Sequence, residues 1–241
     1  MGESFGRFGL NLKGIVIDMD GTITKFNLDY MTARRRVLDE LEKRSLRTPE
    51  MDEQVSLWVV LGKLQNALKP REFLKLRAIF YRYFEEMEVK AARDVTIFPG
   101  AVDTLRELRS KSLKLGLVTN NSRSGTELTF NRLNLQHLFD AVVTRDDCEE
   151  MKPAAAPIMK ILTALGVSAS EAILVGDGVM DVMAARAAGI WSAAVTTGPF
   201  PLARLLKAEP DYILGSVNDL PFLVEKLSAG DAPAKAASLE S

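Results

Sequence analysis

Two carboxylates two residues apart, Asp18 and Asp20, sit within the segment GIVIDMDGTIT at residues 14–24. In extended chain that spacing turns both carboxyl groups to one side. Holding them together is unfavourable unless a cation lies between them or one keeps its proton, so the pair suits a metal site or acid/base chemistry. An Asx-type turn closed by Gly21 would use the same residues for structure alone. Further polar groups follow at wide intervals. Thr119-Asn120-Asn121-Ser122 offers a hydroxyl and backbone N–H groups suited to phosphate oxygens. Lys152-Pro153 adds a point positive charge, and Gly176-Asp177 with Asp181 adds two more carboxylates. Taken singly, Thr119 reads as a turn hydroxyl and Lys152 as a surface lysine.

The elements that must carry these groups argue for one shared site. Ile15, Val16 and Ile17 form an apolar run of the kind that makes a strand buried on both faces, ending at Asp18. From about residue 29 to 93 the texture is helical instead: Met31, Val37, Leu38 and Leu41 recur at helical spacing, as do Phe73, Leu76, Ile79, Phe80, Tyr83 and Phe84. Thr48-Pro49 and Lys69-Pro70 each look like a helix start with proline at the first position, giving three or four helices. After Phe98-Pro99-Gly100 strand and helix alternate, which predicts crossover units and a parallel sheet. Helices are expected at residues 101–110, 125–133, 157–165, 181–188 and 220–227, and strands at 114–119, 141–144, 172–175, 192–196 and 212–214. The polar groups fall at the ends of these strands or shortly beyond them, where parallel sheets bind ligands. Four separate loops then bring four acids, one ammonium and one hydroxyl to one edge. The helical stretch leaves the first strand at that same edge, where it could serve as a lid.

Composition leaves room for this and excludes several alternatives. With 241 residues and 47% hydrophobic content, the chain can bury one sizeable core, or a core plus a smaller insert. Lys and Arg number 31 against 32 Asp and Glu, a formal charge of −1, which leaves no electrostatic footprint for nucleic acid or an acidic membrane. No apolar run approaches the roughly 18–20 residues of a membrane span, and the N-terminus lacks a signal-peptide core, so a cytoplasmic location is expected. The single cysteine, Cys148, has no partner for an internal disulfide or for zinc spacing, and His137, the one histidine, reads as a helix end. The Arg34-Arg35-Arg36 run reads as a solvated helix face, while Phe26, Asn27 and Asp29 follow the first motif closely enough to line an entrance.

The ordered set Asp18-Met19-Asp20-Gly21-Thr22, Thr119, Lys152-Pro153, and Gly176-Asp177 with Asp181 resembles the four motifs of the haloacid dehalogenase (HAD) superfamily, whose members are mostly phosphatases. The resemblance covers residues 13–24 and 98–215; by position and helicity the insert is similar to the cap of the subgroup holding phosphoglycolate phosphatases and beta-phosphoglucomutases. It implies an α/β fold, a Rossmann-like three-layer core with a parallel sheet at residues 1–24 and 98–228 and a small all-helical cap domain inserted after the first strand at 25–97; the Ala/Ser/Gly/Pro-rich composition of residues 229–241 predicts a disordered tail. The resemblance makes Asp18 the nucleophile that becomes an aspartyl phosphate and Asp20 the acid that protonates the leaving alcohol and later activates water. Mg2+ would be held by the Asp18 carboxylate, the Asp20 backbone carbonyl and Asp177. Thr119, Asn120 and Lys152 would bind the phosphoryl oxygens, and Asp181 would orient metal-bound water or Lys152. Asp20 also argues against carbon–halogen cleavage, since dehalogenase members lack this acid. The expected activity is Mg2+-dependent hydrolysis of a small phosphorylated metabolite by a monomer or homodimer. A beta-phosphoglucomutase-type phosphomutase and a non-catalytic phosphate-binding module stand as alternatives.

Overall fold

The computed structural model describes residues 11–52 and 55–230. Most of the lead-in at residues 1–12 and nearly all of the tail expected at 229–241 lie outside the described residues. In chain order, β1 (Gly14–Ile17) precedes three helices, α1 (Tyr30–Lys43), α2 (Leu57–Ala67) and α3 (Pro70–Ala92). Then come α4 (Ala101–Ser110), β2 (Lys114–Val118), α5 (Arg123–Leu133), β3 (Ala141–Val143), α6 (Ala156–Leu165), β4 (Ala172–Gly176) and α7 (Val179–Ala188). The chain continues through β5 (Trp191–Val195), α8 (Leu202–Leu206), β6 (Tyr212–Leu214) and α9 (Leu220–Ser228).

The six strands among the described residues form one parallel sheet in the order β3-β2-β1-β4-β5-β6. Ile15, Val16 and Ile17 are fully buried, as a central strand covered on both faces requires. Val16 and Leu174 meet Ile158, Ile161 and Leu162 of α6 and Ala184 and Ala185 of α7. Leu115 and Leu117 point the other way by strand alternation, on the side where α4 lies against β2 and α9 against α4. This three-layer arrangement is Rossmann-like.

The chain divides into two compact units. The first takes in the described residues of Met1–Phe26, Val95–Asn120 and Leu133–Ser241, and so the whole sheet. The second comprises Asn27–Asp94 and Asn121–Arg132, so nearly all of α5 clusters with α1, α2 and α3. In this helical unit Phe73, Leu76, Phe80 and Phe84 form the buried stripe of α3, and Tyr30 packs on Phe84 with ring centroids 5.9 Å apart. One turn further along the same stripe is Glu88, a buried acid. Its carboxylate accepts the backbone N–H of Ser122 at 2.8 Å, just before α5, where a helix N-terminus favours negative charge. Asp29, an entrance candidate, caps α1 by accepting from Thr32 N at 3.2 Å, and Asn27 donates to Ala91 O at 3.0 Å.

Thr48-Pro49 does not start a helix. The Thr48 hydroxyl goes to Glu50 at 2.6 Å and Met51 N closes a turn onto Thr48 O at 2.9 Å, so the cap position is used by a turn and α2 begins after Ser56. Three helices therefore fill the stretch between β1 and α4 among the described residues. Among those residues no helix is long and apolar enough to cross a membrane.

Candidate active site

Register brings the strand-end residues level. Ile17 pairs with Leu117 on one side and Val175 on the other, so Asp18, Thr119 and Asp177 each fall one or two residues beyond the same row of the sheet. Asp18 N donates to Val175 O at 2.9 Å and Thr119 N to Val143 O at 3.0 Å, which extends the ladder to the residues that carry the chemistry. β1 and β4 flank the point where the strand order reverses direction, the place where a parallel sheet opens a crevice.

Lys152 reaches this point from an irregular loop between a 3-10 turn (Arg145–Asp147) and α6. Its ammonium donates to Asp18 Oδ1 at 2.6 Å, to Asp181 Oδ1 at 2.6 Å and to Val118 O at 3.1 Å, which uses all three of its protons. Asp181 lies in the first turn of α7, and its Oδ2 accepts from Gly178 N at 3.0 Å. Both of its oxygens are thus engaged within the protein, one of them on Lys152. Asp18, Asp177 and Asp181 are buried, and each offers a carboxylate oxygen within 4.8 Å of the others.

The electrostatics of this cluster are those of a site short of positive charge. Three carboxylates in their ionised forms against one ammonium would leave a net −2 in this buried cluster. Burial, with Asp181 and Asp20 nearby, pushes Asp18 up to about 7 in spite of its contact with Lys152. Burial, Asp18 and Asp181 push Asp177 up to about 9. Burial works against the charge on Lys152, but Asp18 and Asp181 outweigh it and hold the ammonium firmly protonated. A divalent cation would balance the remaining −2, and an all-oxygen donor set suits a hard ion such as Mg2+. The residues present fit that group.

Other expected site residues take different places. The Asp20 side chain lies outside the three-carboxylate cluster; it is partly exposed and accepts from Thr24 Oγ1 at 3.2 Å. Thr119 is buried at the end of β2. Asn120 is turned onto Lys152: its Nδ2 donates to Lys152 O at 2.9 Å and its Oδ1 accepts from Lys152 N at 3.0 Å. The Ser122 N–H is taken by Glu88.

Two features have no counterpart in the motif reading. Gly21, at φ +82°, and Gly198 both press their backbones on Asp177; a Cβ on either would fall inside the carboxylate's van der Waals envelope. Thr197 Oγ1 donates to Gly21 O at 2.5 Å and ties the loop after β5 to the loop after β1. The small residues of Thr196-Thr197-Gly198 are the signal that could have found this fifth strand-end loop. Arg145, buried, donates from Nη1 to Asn120 O at 3.0 Å, and a lone arginine in a Thr-Arg-Asp-Asp run carries no such signal.

Comparison with known proteins places the chain in a family. Residues 15–195 match the family model described as haloacid dehalogenase-like hydrolase. The phosphoglycolate phosphatase of Salmonella typhimurium is 30% identical over 234 residues, covering 87% of this chain and 91% of its own. A hydrolase from Pseudomonas syringae shares the fold with a TM-score of 0.66 at 19% identity, covering 89% of this chain and 98% of that one. The putative beta-phosphoglucomutase of Thermotoga maritima does so with a TM-score of 0.58 at 24% identity, covering 89% and 99%. With the family model spanning residues 15–195, most of its length, the chain belongs to the haloacid dehalogenase-like hydrolases.

Proposed function

We propose that this HAD-family phosphatase hydrolyses a small phosphorylated metabolite, of the phosphoglycolate kind, through an aspartyl-phosphate intermediate on Asp18. The observation that carries the reading is the buried ion pair of Asp18 with Lys152 inside a cluster of three carboxylates. Asp18 holds Lys152 through Oδ1, so Oδ2 is the atom that attacks phosphorus. The P–O bond to the alcohol breaks as the Asp18–phosphorus bond forms, and Asp20 gives its proton to the departing oxygen. Asp20, now ionised, takes a proton from water as that water attacks the phosphoryl group, which releases inorganic phosphate and restores the Asp18 carboxylate. Lys152 offsets charge on Asp18 and on the phosphoryl oxygens, and Thr119 with nearby backbone N–H groups holds the others. Mg2+, held by Asp18, Asp177 and the Asp20 backbone carbonyl, would supply charge neutralisation between carboxylate and phosphate.

The 30% identity to a phosphoglycolate phosphatase over most of both chains favours hydrolysis over mutase chemistry, because the likeness to a putative beta-phosphoglucomutase speaks for fold alone. The test is phosphate release from an aryl phosphate and from 2-phosphoglycolate with Mg2+ present. Asp18→Asn should lower the rate by about 10³-fold or more while the protein stays folded by circular dichroism. Activity surviving that change would refute Asp18 as nucleophile.

A further inference from the structure

Asp18, Thr119 and Asp177 stand at the ends of strands and inherit their positions from the sheet, whereas Lys152 does not. Its loop forms neither helix nor strand, and a four-torsion side chain has several rotamers to choose from. Something must fix the backbone of residue 152 before the ammonium can meet Asp18 and Asp181 at once. Asn120 provides that hold. Its amide donates to the C=O and accepts from the N–H of the same residue, as a neighbouring strand would. The base of the bracket is itself held: Thr119 N is bonded to Val143 O, and the buried Arg145 donates to the carbonyl of Asn120.

We propose that Asn120 is a positioning residue that acts through Lys152, and that its side chain does not contact substrate. The proposal rests on the catalytic reading of Lys152 given above. Both polar ends of the Asn120 amide are engaged, so its side chain has one task, to set the height of the Lys152 Cα above the end of β2. Asparagine alone combines donor and acceptor at this reach. Aspartate keeps the acceptor for the Lys152 N–H and turns a second acceptor against the Lys152 carbonyl, so Asn120→Asp should fail as Asn120→Ala does.

The experiment compares wild type, Asn120→Ala, Asn120→Asp, Lys152→Met and the Asn120→Ala/Lys152→Met double variant. Misplacing the ammonium should lower kcat/KM by about 10- to 100-fold in either Asn120 variant. With Lys152 already removed, Asn120→Ala should change the rate by less than about twofold, because nothing is left to position. The second readout is native-state acetylation with acetic anhydride, followed at each lysine by mass spectrometry. Lys152 should be protected in the wild type and labelled at least about tenfold faster once the bracket is cut, with Lys114 unchanged. The proposal is overturned if Lys152 stays equally protected in Asn120→Ala, or if the loss from Asn120→Ala multiplies in full on that from Lys152→Met. Labelling decides the matter where the double variant turns over too slowly to measure. A wild type without phosphatase activity would instead sink the functional reading and leave the labelling result standing.

Discussion

Adding one methyl group at Gly198 should damage metal binding, while the same change at Gly62 should strengthen the protein. A Cβ at position 198 would meet Asp177 Oδ2 and lie 2.5 Å from its Cγ and 2.6 Å from its Cβ. No real side chain tolerates such contacts, so either the Asp177 carboxylate swings away or the loop after β5 retreats. Overpacking of this kind costs about 1–3 kcal/mol. At about 2–4 °C per kcal/mol for a chain of this size, the melting temperature should fall by roughly 2–12 °C. Retreat of the loop also strains the Thr197 hydrogen bond to Gly21 O, and Gly21 braces the other side of the same carboxylate. Mg2+ affinity should then drop by about 10- to 100-fold, the range seen when groups that support a metal ligand are altered. That corresponds to about 1.4–2.7 kcal/mol.

Gly62 sits exposed within α2, and a Cβ there would meet nothing within 4 Å. Gly62→Ala removes chain entropy from the unfolded state and should stabilise by about 0.5–1 kcal/mol. Differential scanning calorimetry and isothermal titration with Mg2+ on wild type, Gly198→Ala and Gly62→Ala measure both effects. A Gly198→Ala protein that melts and binds Mg2+ like wild type would refute the claim that the loop after β5 confines Asp177.

Two other outcomes follow from the buried acids. Asp18 and Asp177 have folded-state pKa values raised to about 7 and about 9, above those of exposed aspartates. Raised carboxyls contribute stability that is complete below the unfolded value near pH 4 and is lost as pH climbs through the folded values. Metal-free protein in EDTA should therefore melt progressively lower from pH 5 to pH 9, and saturating Mg2+ should flatten that decline by favouring the ionised carboxylates; a flat EDTA profile would contradict the charge argument. Glu88→Ala should destabilise by about 1.5–3 kcal/mol, since it strips the buried Ser122 N–H of a charged acceptor, and urea titration showing a change within about 0.5 kcal/mol would show that contact to be immaterial.

The parts of this molecule legible in the sequence are those governed by a repeating period or by a strand's end. Ile15-Val16-Ile17 could hardly be anything but a strand covered on both faces, and Phe73, Leu76, Phe80 and Phe84 mark the buried stripe of α3 by spacing alone. Asp18 and Asp177 meet because β1 and β4 share one register, and Asp181 follows in the first turn of α7; Lys152 joins them from a loop that no period marks. The five-residue α8 escaped because its short run, Leu202–Leu206, is too brief for a helical period to show. Thr48-Pro49 misled because a capping residue and a turn residue are the same residue until one sees where the hydroxyl goes.

Asn120 and Glu88 define what residue type leaves open. An asparagine beside a threonine expected to bind phosphate reads as a ligand contact, and a glutamate in a helix reads as solvated surface, because polar side chains are assigned outward by default. Both instead satisfy backbone groups of segments remote in sequence, Asn120 those of Lys152 and Glu88 that of Ser122. Lys152 lies in an irregular loop and Ser122 just ahead of α5, where regular structure does not supply their hydrogen bonds. A buried N–H or C=O left bare there costs about 1–3 kcal/mol, enough to select one polar side chain of the right length at that position. Knowing which backbone groups lack a partner, once the strands and helices are placed, is thus what separates a side chain that touches substrate from one that holds the residue that does.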